Sequence, residues 1–194
     1  MRDRSSGNIN HEKRILGLFR SGDPSAVRAL YREYAGYLTA VCARYISSDE
    51  DIEDILQESF LAILDDIPKF EYRGSGTLKA WMARIVVNRS LKHLRESRRM
   101  TFTDLTEDIL TEVPDTGGMD GPDTGQMPPE AIHGLIRGLP DGYRTIFNLY
   151  VLEKRSHREI AGLLGITEST SASQLHRAKA MLATMIRNYQ KDTQ

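Results

Sequence analysis

Residues 78–99, LKAWMARIVVNRSLKHLRESRR, decide how the rest of the chain is read. At about 100° per residue, Arg84, Asn88, Lys92, Arg95 and Arg99 fall on one narrow stripe with Trp81 at its head. Leu78, Met82, Ile85 and Val86 form an apolar arc beside it, and Val87, Leu91 and Leu94 form a second arc on another side. A helix patterned in this way is wedged between neighbours and still offers water one cationic face. Over residues 79–99 seven Lys/Arg stand against the single acid Glu96, inside a chain whose formal net charge is −1. The stripe extends roughly 20 Å at the helical rise, which suits a run of phosphates or an acidic partner surface. A solvated face is the plainer alternative, and the chemistry within the stripe argues against it. Trp81 offers a stacking face for an unpaired base, and Asn88 can make paired donor and acceptor bonds to a base edge.

The segment before it has the opposite charge. Ser48 with Asp51 three residues later predicts a capped helix over residues 49–66, with Ile52, Ile55, Leu56, Phe60, Ile63 and Leu64 on its apolar face. Asp54, Glu58, Leu61 and Asp65 form the opposite stripe, with Gln57 beside it. An acidic stripe with a leucine in it suits a basic protein partner with an apolar notch, or serves only as a solubilising face. Between the two helices, Pro68 ends the first, and Gly74, Ser75 and Gly76 make a turn. Phe70, Tyr72 and Arg73 then stand on a loop close to Trp81, the mixture of aromatic and cation that a single-strand surface uses.

Working outward, residues 10–20 predict a short helix with Ile15, Leu16 and Phe19 on one side. A longer core helix follows, with Asp23 as its cap, Pro24 in its first turn, and Val27, Leu30, Tyr31, Tyr34, Leu38, Val41, Cys42 and Tyr45 at helical spacing. Residues 103–130 hold eight acids, no Lys or Arg, and four of the seven prolines. Such a segment buries too little apolar surface to order itself, so it is read as a flexible acidic linker. Beyond it, Ile132, Leu135, Ile136 and Leu139 predict one short helix, and Tyr143, Ile146, Phe147, Tyr150 and Val151 a second. Ser156 and Glu159 make a capping box, with Ile160, Leu163 and Leu164 facing inward. Gly165 ends that helix, and Thr167 caps the next, which buries Leu175, Ala178 and Leu182. Two helices joined by so tight a turn form a helix-turn-helix, whose second helix enters the major groove. On that helix Ser171, Ser173, Gln174, His176, Arg177 and Lys179 are polar or basic groups suited to base edges and phosphates.

Composition agrees with an ordinary globular chain of 194 residues, 40% apolar and 27% charged. There is no apolar run of membrane-spanning length, and MRDRSSGNIN lacks the apolar centre of a signal peptide, so a cytoplasmic protein is expected. The single cysteine, Cys42, excludes an intrachain disulfide, and the five histidines are scattered, so no metal site and no cofactor are expected. No phosphate loop or nucleophile elbow is present, so no enzyme is expected.

Three stretches, DIEDILQESFLAIL at 51–64, FEYRGSGTLKAWM leading into RIVVNRSLKHLRESRR at 70–99, and residues 139–182, together resemble the extracytoplasmic-function sigma factors of bacterial RNA polymerase. The resemblance implies an all-α chain of two small helical domains, an N-terminal bundle and a C-terminal helix-turn-helix, joined by the acidic linker. Residues 9–100 would be sigma region 2, 101–128 the linker and 129–190 sigma region 4. It implies that Asp54, Gln57, Glu58 and Leu61 dock on core RNA polymerase. The loop at 70–77 with Phe70, Tyr72 and Arg73, and the helix with Trp81, Arg84, Asn88, Lys92 and Arg95, would melt the minus-ten promoter element and hold a flipped non-template base. Ser171, Ala172, Ser173, Gln174, His176, Arg177 and Lys179 would read the minus-thirty-five element. Many members carry basic residues where this chain has Ala172 and Gln174, so weaker upstream phosphate contact is expected. The partners so implied are core polymerase, promoter DNA as duplex and as non-template strand, and an anti-sigma factor, with a monomer when free. The alternative is a helix-turn-helix repressor or activator that works without recruiting polymerase.

Overall fold

The computed structural model describes residues 4–97 and 127–192, with side chains from His11 onward in the first helix. The expected linker over 101–128 lies, but for its last two residues, outside the described residues, as does Arg99 of the basic stripe. Among the described residues every regular element is helical. They are α1 (Arg4–Arg20), α2 (Ala26–Cys42), α3 (Asp49–Asp66), α4 (Thr77–Glu96), α5 (Pro129–Arg137), α6 (Asp141–Phe147), α7 (His157–Leu164) and α8 (Glu168–Asp192). The chain forms two compact units, Met1–His93 and Leu94–Gln194.

In the first unit α2 packs against both α1 and α3. Its buried face is Leu30, Tyr34, Leu38, Val41 and Cys42, as its spacing predicts. Val27 and Tyr31, expected in the same core, are exposed although they share the angular range of the buried residues; both stand in the first two turns of α2, and Tyr31 tilts against Phe60 of α3 with ring centroids 5.0 Å apart. Asp23 does not cap α2, which starts later, at Ala26. Its Oδ1 instead accepts the Ser25 N–H at 2.8 Å and forms a turn just before the helix. Helix α3 begins as predicted, with Ser48 Oγ accepting the Asp51 N–H at 3.3 Å. Helix α1 begins earlier than its apolar spacing predicts, at Arg4.

Helix α4 is held on several sides, as its two apolar arcs demand. Leu78, Met82, Val86, Val87 and Leu91 are buried. Ser90 Oγ lies 3.5 Å from Cys42 Sγ of α2, a contact in which burial raises the Cys42 thiol above its ordinary range and the bond to Ser90 offsets this only in part. Arg89 reaches α3 and pairs with Glu58 at 2.7 Å, and Lys79 Nζ sits 4.0 Å from the Tyr37 ring centre on α2.

In the second unit α8 is the central element, packed by α5, α6 and α7. The capping box of α7 forms in full: Glu159 N–H donates to Ser156 Oγ, and Ser156 N–H donates to Glu159 Oε2 at 2.9 Å. The Ser156 N–H, Arg155 and the Ser156 hydroxyl hold the Glu159 carboxyl below its ordinary range. Its contribution is therefore present at neutral pH and is lost as pH falls through the carboxylate range. Gly165 closes α7 at φ +70°, a left-handed position that suits glycine. Thr167 Oγ1 then accepts the Thr170 N–H at 3.0 Å and opens α8. Leu163, expected to face inward, is only half-buried, and Ala161 takes the inner place.

Two features depart from the periodicity. The expected helix through Val151 is α-helical only to Phe147 and widens into a π turn over Asn148–Leu152, closed by Glu153 N–H to Asn148 O at 3.0 Å. The second is Arg144, only 4% exposed. Its Nη1 donates to the carbonyls of Arg137 at 2.8 Å and Leu139 at 3.3 Å, and its Nη2 pairs with Asp141 at 2.6 Å. One cation thus satisfies the carbonyl end of α5 and sets the turn into α6. Removing it leaves the Leu139 carbonyl buried and the Arg137 carbonyl and Asp141 part-buried without this donor, so Arg144→Met is expected to destabilise the second unit by about 3 kcal/mol. Chemical denaturation of the full chain, followed by amide exchange in α5 and α6, checks this; a cost under about 1 kcal/mol would contradict it.

Candidate nucleic-acid interface

The loop between α3 and α4 is built from both ends. A 3₁₀ turn, Ile67–Lys69, leads out of α3, and Gly74 and Gly76 stand at φ +134° and +82°, conformations that side-chain-bearing residues rarely adopt. Phe70 and Trp81 meet across the loop, ring centroids 5.0 Å apart and tilted by 42°, and both rings stay partly open to water. The predicted aromatic platform is therefore one pair. Tyr72 is placed differently from the expectation of an open stacking face. Its hydroxyl is buried with no hydrogen-bond partner among the described residues, and Lys13 of α1 stands 5.7 Å from its ring centre. Arg73 is exposed and pairs with Glu71 at 3.0 Å.

Arg84, Asn88, Lys92 and Arg95 are all exposed along one side of α4. On α3, Asp54, Gln57, Glu58 and Leu61 are exposed too, and Leu61 shows 65% of its surface. Glu58 shares its charge with Arg89, which leaves Asp54 as the acid of the expected docking set with no ion pair among the described residues.

Helix α8 corrects part of the expected reading face. Ser171 and Gln174 are buried, with Ser171 Oγ 3.0 Å from His157 Nδ1 of α7. They continue the inward stripe of Leu175, Ala178 and Leu182 at helical spacing, so both side chains turn into the unit and not onto the exposed face of α8. Ala172, Ser173, His176 and Lys179 are exposed and Arg177 is half-buried. Lys179 Nζ lies 5.7 Å from the Tyr150 ring, which itself stacks on His157 at 4.8 Å.

Sequence reasoning missed Glu12. This carboxylate of α1 is fully buried and accepts the Gly76 N–H at 3.0 Å and the Lys79 N–H at 3.2 Å, at the first turn of α4. Tyr34 faces the same region. Burial first, then the charges of Glu12 and Glu33 and the neighbouring Tyr72, push its phenol well above the ordinary range. The one available signal was the absence of a side-chain cap at Gly76, which says that a cap is needed and not where it comes from.

No group of three His, Cys, Asp or Glu among the described residues gathers to hold a metal, and no described helix is long and apolar enough to cross a membrane. Residues 30–100 match the model of sigma-70 region 2, and residues 130–182 that of sigma-70 region 4. Two such regions in this order define a sigma factor of RNA polymerase, a transcription initiation factor and not an enzyme. The chain is 25% identical over 189 residues to the ECF RNA polymerase sigma factor SigW of Bacillus subtilis, covering 91% of this chain and 97% of that one. It is 25% identical over 181 residues to the ECF sigma factor SigE of Mycolicibacterium smegmatis, covering 89% of this chain and 67% of that one. Among solved structures, the sigma factor RpoE of Bartonella quintana, in complex with the anti-sigma factor NepR, is 18% identical over 84% of this chain and 98% of that one, with a TM-score of 0.47. The chain belongs to the extracytoplasmic-function sigma factors, alternative sigma factors for transcription initiation whose partners are RNA polymerase and promoter DNA. A repressor that works apart from polymerase is not favoured.

Ser171→Ala removes an internal bond alone. It is expected to lower stability by about 1 kcal/mol with promoter affinity intact. A loss of DNA binding with unchanged melting temperature would return Ser171 to the DNA face.

Proposed function

We propose that the exposed stripe of α3 docks on a basic surface of core polymerase through Asp54, Gln57, Glu58 and Leu61. Residues 70–77 and Trp81, Arg84, Asn88, Lys92 and Arg95 then take up the opened minus-ten element, with Phe70 and Trp81 as the stacking platform. The exposed side of α8, Ala172, Ser173, His176, Arg177 and Lys179, holds the minus-thirty-five duplex. The observation that carries this reading is the segregation of charge: exposed acids on α3 and exposed cations on α4, consecutive helices of one unit. A face that only kept the chain in solution would not need its two signs sorted onto separate helices. Residues 9–100 and 129–190 would then act as region 2 and region 4, with 101–128 making two weak contacts one multivalent event.

The finer partners follow from the same surface. Val27 and Tyr31 on α2, with Leu61 on α3, leave apolar area open in the free chain. An anti-sigma factor would cover such a face and compete with polymerase for it. The free protein is proposed to be a cytoplasmic monomer until it meets polymerase.

Reversing Asp54 to Lys is the cleaner test of docking, because a lysine at position 58 would also face Arg89. Affinity for core enzyme is expected to fall by at least about tenfold. Retention of the complex on co-purification would refute the assignment. Replacing Arg84 and Lys92 together by alanine should abolish promoter opening while core binding stays, and should lower the salt slope of single-strand binding by about 1.4. Unaltered permanganate reactivity around the start site would contradict that role.

A further inference from the structure

The first turn of α4 presents two backbone donors that a capping box would normally satisfy: the N–H of the cap residue, here Gly76, and that of the third helical residue, here Lys79. Neither local half of such a box is available. Gly76 has no side chain, and at φ +82° a serine or aspartate there would be strained. Lys79 has no acceptor, and its ammonium is over Tyr37. Glu12, 64 residues upstream of Gly76, supplies both halves from one carboxylate, with Oε2 on Gly76 N–H at 3.0 Å and Oε1 on Lys79 N–H at 3.2 Å. It is fully buried, and among the described residues no cation stands within ion-pairing distance of it. A buried carboxylate so placed is stabilised by these charge-assisted bonds and by the helix N-terminus itself. Its absence would leave both part-buried donors without this acceptor.

We propose that Glu12 is a positioning residue for promoter opening: by fixing the first turn of α4 from α1, it sets where loop 70–76 and Trp81 stand relative to Arg84 and Asn88. The proposal rests on the reading of that loop and stripe as the minus-ten surface. It assigns a role to a residue that lies before the matched region 2, which begins at residue 30. Glu12 touches no DNA in this scheme and acts only through the backbone that carries Phe70 and Trp81. The cap restrains the loop's exit into α4 and leaves the docking stripe of α3 unchanged. Opening should therefore be lost separately from polymerase binding.

The test uses the full chain and its complex with core polymerase, in the variants Glu12→Gln and Glu12→Asp. The amide keeps the shape of the side chain but turns a donor toward one N–H. The shorter acid keeps the charge but reaches at most one of the two donors. Three quantities are read: exchange of the Gly76 and Lys79 amides, affinity for core enzyme, and permanganate reactivity at a promoter. Faster exchange at those two amides, core affinity within about twofold of the parent, and opening reduced by about tenfold are expected. Glu12→Asp should fall between the parent and Glu12→Gln. Unchanged amide exchange in Glu12→Gln overturns the cap. Opening that falls only in step with core affinity also overturns the proposal, since that is what a merely structural role predicts. Intact opening in the Glu12 variants, beside opening lost in the Arg84/Lys92 double variant, overturns the positioning role and spares the minus-ten reading. Intact opening in both sets overturns the two together.

Discussion

An α-helix begins with backbone donors that have no partner within the helix, and the residue before α4, Gly76, has no side chain to serve them. The acceptor comes from α1, and this single requirement ties the first and last helices of the unit together. It also explains how a carboxylate can be completely buried with no ion-pair partner among the described residues. The helix end takes the place of the counter-charge. Phe70 and Trp81 can meet at 5.0 Å because the backbone on the α4 side of their loop is fixed.

Once α4 is placed, the distribution of its charges follows from geometry. Cations off the outward stripe turn inward to partners within the unit: Arg89 to Glu58 and Lys79 to the ring of Tyr37. Those on the stripe, at Arg84, Lys92 and Arg95, stay exposed. The acidic excess of α3 and the basic excess of α4 therefore cancel in part between the helices and persist on their outer faces. Exposed pairs of the first kind stabilise by less than about 1 kcal/mol, so the internal pairing is no reason for so many charges. A long single-sign row is what gives a counter-ion-releasing surface for phosphates.

The elements of both units were legible in the sequence because each buried face repeats at three and four and most ends carry a recognisable stop. Ser48, Ser156, Gly165 and Thr167 all act as their residue types predict. The misreadings share a cause: residue type was taken to decide exposure where position decides it. Val27 and Tyr31 are apolar and lie outside the core, while Ser171 and Gln174 are polar and lie within it. Contacts distant in sequence left no local trace, as with Glu12 at the head of α4. Arg144, which reaches back to the carbonyls of Arg137 and Leu139, gave no pattern distinguishable from a surface cation. The π turn at Asn148–Leu152 likewise interrupts a run whose apolar spacing reads as one continuous helix.

The burial of Gln174 changes what this chain's departures from its family mean. A cation at that position would have to be desolvated against the packed face of α8, at a cost of several kcal/mol unless it were paired. Gln174 is better understood as a group that fits the interior of this unit than as a missing phosphate contact. Of the two departures only Ala172 lies on the exposed side, next to Ser173 and one turn before His176. If α8 reads DNA as proposed, the deficit in upstream charge is a single position, on a surface that still carries Lys179 and part of Arg177. One phosphate contact fewer lowers the salt slope by about 0.9 on duplex DNA, a reduction that binding through a second, linked domain can absorb. On the proposed reading of α8, the upstream face is then short of one cation and not two.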